Sequence, residues 1–314
     1  VAAVLEPTLT VACFIVVTLA YDEPILRSTL TLCLLVFALT FPGRNRFRDS
    51  FLDNHGVGIV TTTRNGTVVV DPKDGEVSRH LLNRGEYGWA GVTMLSRLLT
   101  PASRVVFVGA HIGALLIPIV RAAGTRQVLA FEATPRVHKM LLMNLALNDL
   151  NEVIAENIAV GARPGRRRFS ENRIVKADLT RVIRTKSDIE VTVHTLDATI
   201  PRTWDVIDLM VMSDQGREAD AMRGAARTLA KTRHLYVDFS PEQLVEQGST
   251  VEEFVELAAG HFKSAYVLGE TKPKFLAQRE FPSYLLELAA RRGTLVNLLL
   301  SRDARPSAQF EAAA

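Results

Sequence analysis

Apolar residues follow two different regimes along the chain. Residues 7–21 carry no charge and are rich in Val, Leu, Ile and Phe, and residues 25–41 repeat the pattern with only Arg27 interrupting. Spanning a bilayer takes about 20 apolar residues, with a lower limit near 17, and each run reaches that length with its flanks. Asp22-Glu23-Pro24 lies between them, with the residue types of a tight turn between two helices. Pro42-Gly43 closes the second run, followed by Arg44, Arg46 and Arg48. Basic residues beside a membrane segment mark the cytoplasmic side. The pattern therefore predicts a transmembrane helical hairpin over residues 1–43 and a basic linker over 44–55. Both chain ends and the main domain are then cytoplasmic, and the three arginines face anionic lipid headgroups. A buried helical hairpin is the competing reading. A cleaved signal peptide fits less well, because no basic stretch precedes the first run.

From Gly56 the pattern changes to short apolar runs alternating with helical periodicity. Residues 58–63 and 67–71 flank Asn65-Gly66, the pattern of a β-hairpin. Residues 75–99 are predicted helical. Val105–Val108 is then the first buried strand, and Gly113–Ala123 a helix stopped by Gly124. Val128–Glu132 is a strand, and Thr134-Pro135 opens a long helix. Further strands are read at 153–160, 166–169, 191–193, 206–212, 235–239, 265–268 and 295–300, with helices at 218–229, 251–259 and 284–291. Such alternation predicts a mostly parallel sheet covered on both faces. This α/β domain covers residues 56–302, and residues 303–314 form a loose tail.

Composition narrows the chemistry. The 314 residues carry a formal charge of only +3, so nothing demands a nucleic-acid partner. The two cysteines, Cys13 and Cys33, lie in the apolar N-terminal region without metal-ligand spacing, so a zinc site is not expected. There is no Ser-His-Asp nucleophile elbow, P-loop or HExxH helix.

One constellation carries chemistry. Val105-Val106-Phe107-Val108 runs into Gly109-Ala110-His111-Ile112-Gly113, and Leu129-Ala130-Phe131 ends on Glu132. Glycines after a first strand let the backbone approach a nucleotide, and an acid at the tip of the next strand takes a ribose diol. Read with Asn157-Ile158-Ala159-Val160-Gly161, Thr195-Leu196-Asp197, Ile207-Asp208-Leu209 and Gly216-Arg217-Glu218, this order resembles the FkbM-type methyltransferase family. These enzymes depend on S-adenosylmethionine (AdoMet) and often O-methylate sugars. The resemblance implies a Rossmann-like class I methyltransferase sheet of seven strands with helices on both faces. It assigns Gly109, Ala110 and Gly113 to the cofactor turn, Glu132 to the ribose, and Ile158 and Ala159 to the adenine.

Departures from the family pattern point the other way. Phe107 stands where the family has Asp, and His111 where it usually has Asn. The downstream motif Ile-Lys-Ile-Asp-Val-Glu-Gly is here Met210-Val211-Met212-Ser213-Asp214-Gln215-Gly216. Each lost charged partner in a buried site costs about 1.5–3 kcal/mol. Asp214, Asp208 and His111 are left as possible acid/base groups. Two readings follow. The first is a non-catalytic accessory subunit, membrane-anchored, packing against hydrophobic subunits of a membrane complex and holding no cofactor. The second is a membrane-tethered AdoMet-dependent O-methyltransferase acting on a glycan or lipid-linked sugar. A basic hairpin, Arg163 with Arg166-Arg167-Arg168, is read as a solvated turn or a lipid contact, and Trp89 and Trp204 as core or interface residues.

Overall fold

The computed structural model describes residues 58–170, 188–268 and 273–304. The hairpin read over 1–43, the linker over 44–55 and all but the first residues of the 303–314 tail lie outside them. The expected membrane location is corrected: among the described residues no helix is long and apolar enough to cross a membrane. The longest described helix has 13 residues, short of a span.

The chain from Gly58 onward forms one compact unit. It opens with β1 (Ile59–Thr63) and β2 (Gly66–Val70), an antiparallel hairpin in which Thr63 pairs with Gly66. The connecting residues are Arg64 and Asn65, one position earlier than the Asn65-Gly66 expected. Asn65 is consumed elsewhere: its side chain bonds the Tyr87 backbone in both directions and the Ala114 carbonyl. Helices α1 (Val77–Arg84) and α2 (Trp89–Ser96) replace the single helix predicted over 75–99. Gly85 and Gly88 between them adopt left-handed φ of 71° and 59°, which ends a helix.

The main sheet starts with β3 (Arg104–Val108), followed by α3 (Leu116–Ala123), β4 (Gln127–Phe131), α4 (Pro135–Leu147) and β5 (Ile154–Glu156). Next come β6 (Ala159–Val160), β7 (Gly165–Ser170), β8 (Asp188–His194) and α5 (Leu196–Thr199). Then β9 (Ile207–Met212), α6 (Glu218–Arg223), α7 (Ala226–Leu229), β10 (Thr232–Phe239), α8 (Pro241–Glu246) and α9 (Val251–His261) follow. The chain closes with β11 (Ser264–Leu268), β12 (Lys274–Ala277), α10 (Phe281–Ala289) and β13 (Val296–Ser301). Helix 218–229 is broken because Gly224 passes against Gly161, where a Cβ would meet the Gly161 oxygen at 2.1 Å.

Strand order in the eight-stranded sheet is β12-β11-β13-β10-β9-β3-β4-β5. β5, β4, β3, β9 and β10 run parallel, whereas β13 is antiparallel to both β10 and β11. The topology is that of a Rossmann-like methyltransferase sheet, and β12 is an additional edge strand. The residues read as strands at 166–169 and 191–193 leave this sheet and pair with β6 in a separate three-stranded one.

Alternation divides the core into two layers. Val106, Val108, Met210, Met212, Leu235 and Val237 face one side, and Val105, Phe107, Leu209, Val211 and Tyr236 the other. The hairpin is fixed to α4 by two buried asparagines one turn apart. Asn144 bonds the Val69 N–H and carbonyl, and Asn148 bonds those of Thr67.

Candidate functional site

The turn after β3 is built by backbone conformations that few residues adopt. Gly109, His111 and Gly113 have φ of 72°, 51° and 86°. A Cβ on Gly109 would lie 2.0 Å from the Ser213 carbonyl oxygen, so the β3 and β9 exits can close together only with glycine there. At Gly113 a Cβ would press on Ile117 and Leu141. Its φ of 86° lies outside the right-handed helical region, so α3 begins later, at Leu116.

Glu132 organises this turn. Its Oε2 accepts the His111 N–H at 3.0 Å and its Oε1 the Thr134 N–H at 2.8 Å. The Gly109 and Ala110 N–H groups both donate to the Phe131 carbonyl. Asn157 donates from Nδ2 to the carbonyls of Glu132 and Ala133, which ties the 157–159 segment to the same corner. A carboxylate offers about four acceptor positions, so two on Glu132 remain for a ligand. Ile158 is half-buried against the core, and Ala159 is buried in β6.

The exit of β9 adds acids. The Glu218 Oε1 accepts the N–H groups of Asp214 and Gly216, at 2.9 and 3.2 Å, shaping a turn in which Gln215 and Gly216 both have positive φ. Burial, reinforced by Glu218 and Glu132, pushes the Asp214 carboxyl up to about 8, with Arg217 opposing. Burial also raises Glu218 to about 7, although backbone N–H bonds pull against it. Asp214 thus stands next to Gly109 and within the field of Glu132.

Other expectations separate from this site. Asp208 lies at the opposite end of β9, where it accepts the Arg104 N–H at 2.9 Å and pairs with Arg233 at 3.1 Å. It therefore closes strand ends and stands away from the glycine turn. The His111 side chain points toward Asp74, with Nε2 3.9 Å from Oδ2, and its Nδ1 is buried without a hydrogen-bond partner among the described residues. Phe107 is 2% exposed inside the second core layer. Arg166 and Arg167 of the basic hairpin pair with Glu190 and Asp220. Trp89 packs on the core with Arg64 4.1 Å from its ring centre, and Trp204 packs on the other layer. Asp197 holds the start of α7 through Arg227 and Thr228, a structural use of that motif.

Three groups escaped the sequence reading. Asp238 at the end of β10 accepts a hydrogen bond from Ser213 Oγ at 2.5 Å. Burial raises its carboxyl to about 6, against that bond, with Glu76 adding to the rise. Tyr87 and Tyr236 lie beside it, both held protonated well above the usual phenol range by burial first and by nearby carboxylates second. The signal was present in Leu235-Tyr236-Val237-Asp238, an apolar run ending on an acid as Leu129–Glu132 does.

Residues 108–263 match the profile of the methyltransferase FkbM domain, so the chain carries that domain. Comparison with curated proteins gives no match. Among solved structures, a protein of Pyrococcus horikoshii described as a candidate transferase is 15% identical, with 82% of each chain covered and a TM-score of 0.43. M. jannaschii TYW2 in complex with AdoMet is 14% identical over 78% of this chain and 85% of that one, at 0.40. Precorrin-6y C5,15-methyltransferase of Geobacter metallireducens is 10% identical over 74% and 94%, at 0.39.

Proposed function

We propose that the domain binds AdoMet at the 109–113 turn and catalyses transfer of its methyl group. The observation that carries this reading is Glu132: its carboxylate is locked at the head of the glycine turn by two backbone donors, with acceptor capacity left for a ribose diol. Gly109, Ala110 and Gly113 shape the turn beneath the ligand, and Ile158 and Ala159 border the adenine side.

When bound, AdoMet supplies a methyl group whose bond to sulfur breaks as the acceptor's lone pair attacks the carbon, with sulfur keeping the electron pair. The protein's part is placement and proton handling. Asp214, half-buried beside Gly109 and raised toward neutral pH, accepts the proton that the acceptor loses. A base whose pKa lies near the working pH balances availability against basicity.

A second reading, a non-catalytic domain serving as an accessory subunit in a larger assembly, is favoured by Phe107. That apolar side chain fills the position from which the family's aspartate reaches the cofactor. Calorimetric titration of AdoMet into the chain, followed by assay of S-adenosylhomocysteine release, separates the two. Saturable binding that Glu132→Ala weakens about 10- to 100-fold supports the enzyme reading. A folded protein that does not bind at millimolar ligand supports the accessory one.

A further inference from the structure

A second constellation lies on the same edge of the sheet, away from the glycine turn. Ser213 and Asp238 are neighbours across β9 and β10, because Met212 and Val237 are parallel partners. Three strand spacings of about 4.8 Å separate β10 from β4, so Asp238 stands about 14 Å from Glu132. That exceeds what one ribose contact spans, so the two carboxylates belong to separate places along the same end of the sheet. Asp238 is half-buried, and no lysine or arginine among the described residues pairs with it.

Tyr236 adds an independent mark. It is 5% exposed, yet its phenol has no hydrogen-bond partner among the described residues and faces Asp238 and Tyr87. It lies under Gly91 of α2, where a Cβ would come within 3.0 Å of Oη. Tyr87 brings a second phenol from the segment between α1 and α2, with Glu76 beside it. Asp74 holds the start of α1 through the Glu76 and Ser78 N–H groups, and faces His111. A carboxylate without a cation beside two phenol oxygens suits a compact cation with several N–H donors.

We propose that Asp238, Tyr236 and Tyr87 form the acceptor site and that it holds an ammonium group, so that the methyl acceptor is an amine-bearing molecule. The word acceptor rests on the methyltransferase reading; the ammonium site itself does not.

The test titrates n-butylammonium chloride into the full chain by calorimetry at constant ionic strength, with n-butanol and methyl glucoside as neutral controls. Saturable binding of the ammonium alone is expected, weakened about tenfold or more by Asp238→Asn. Tyr236→Phe, a milder change that keeps the ring, is expected to weaken it by a smaller factor, and covers the case in which Asp238→Asn fails to fold. No saturable binding to the wild type overturns the proposal, as does binding that both variants leave unchanged or preferential binding of the glucoside. AdoMet titrated separately keeps the two readings apart: Glu132→Ala is expected to affect AdoMet and leave n-butylammonium untouched.

Discussion

Asp208 and Asp238 sit on neighbouring strands, one where β9 enters the sheet and the other where β10 leaves it. At the entry end, Asp208 is neutralised on both sides, by the Arg104 N–H and by the Arg233 guanidinium. At the exit end, Asp238 has one hydroxyl donor, and Asp214 and Glu218 crowd nearby with raised affinities for protons. The same residue type is thus spent on architecture at one end and held in reserve at the other. In open α/β sheets, ligands bind beyond the carboxyl ends of the strands, and the charge economy of this domain follows that division.

The contrast can be broken most severely at Gly109. Gly109→Ala drives a methyl group into the Ser213 carbonyl and strains a left-handed residue. The expected loss is about 3 kcal/mol or more of folding stability, read in urea titration; wild-type stability would contradict the closeness of the β3 and β9 exits.

Next in size is the pH response. Asp214, Glu218 and Asp238 bind protons more tightly folded than unfolded, so the folded state gains protons relative to the unfolded one. Their favourable contribution is full below about pH 4 and is lost as pH rises through about 6, 7 and 8 in turn. The melting temperature is expected to fall between pH 5 and pH 8, and Asp214→Asn to flatten that slope. A slope that Asp214→Asn leaves intact would place the titration elsewhere.

Smaller effects sharpen the comparison. Asp208→Ala is expected to cost about 1 kcal/mol, since its ion pair with a largely exposed arginine adds little to its backbone bond, and to leave ligand titrations unchanged. Asp238→Asn is expected to shift stability least, with no change at pH 5 and a slight rise in melting temperature at pH 8. A large loss at both pH values would make Asp238 an architectural residue like Asp208.

The parallel core of the fold was legible because buried strands read as unbroken apolar runs and because Gly124 and Pro135 punctuate the helices at the places expected. Glu132 was legible for the same reason, as an acid ending such a run. What failed depended on contacts distant in sequence. The breaks at Gly85, Gly88 and Gly224 reflect backbone conformation and close approach, which helical periodicity does not register. Asp208 looked chemical because it borders an apolar strand, and only strand direction reveals which end it occupies. Asp238 gained its meaning from Ser213, 25 residues away in the chain.

Asn144 of α4 and Asn148, which caps that helix, have a consequence of their own. A strand with a bare flank invites another chain to zip onto it, and charged side chains are a common deterrent. Here Asn144 and Asn148 present amide groups to Val69 and Thr67 as a third strand would, so that flank of β2 is insulated by a helix. Amides neither titrate nor respond to salt as carboxylates do. The seam between hairpin and helix should therefore hold its strength while acidity and ionic strength retune the acids at the carboxyl ends of β9 and β10.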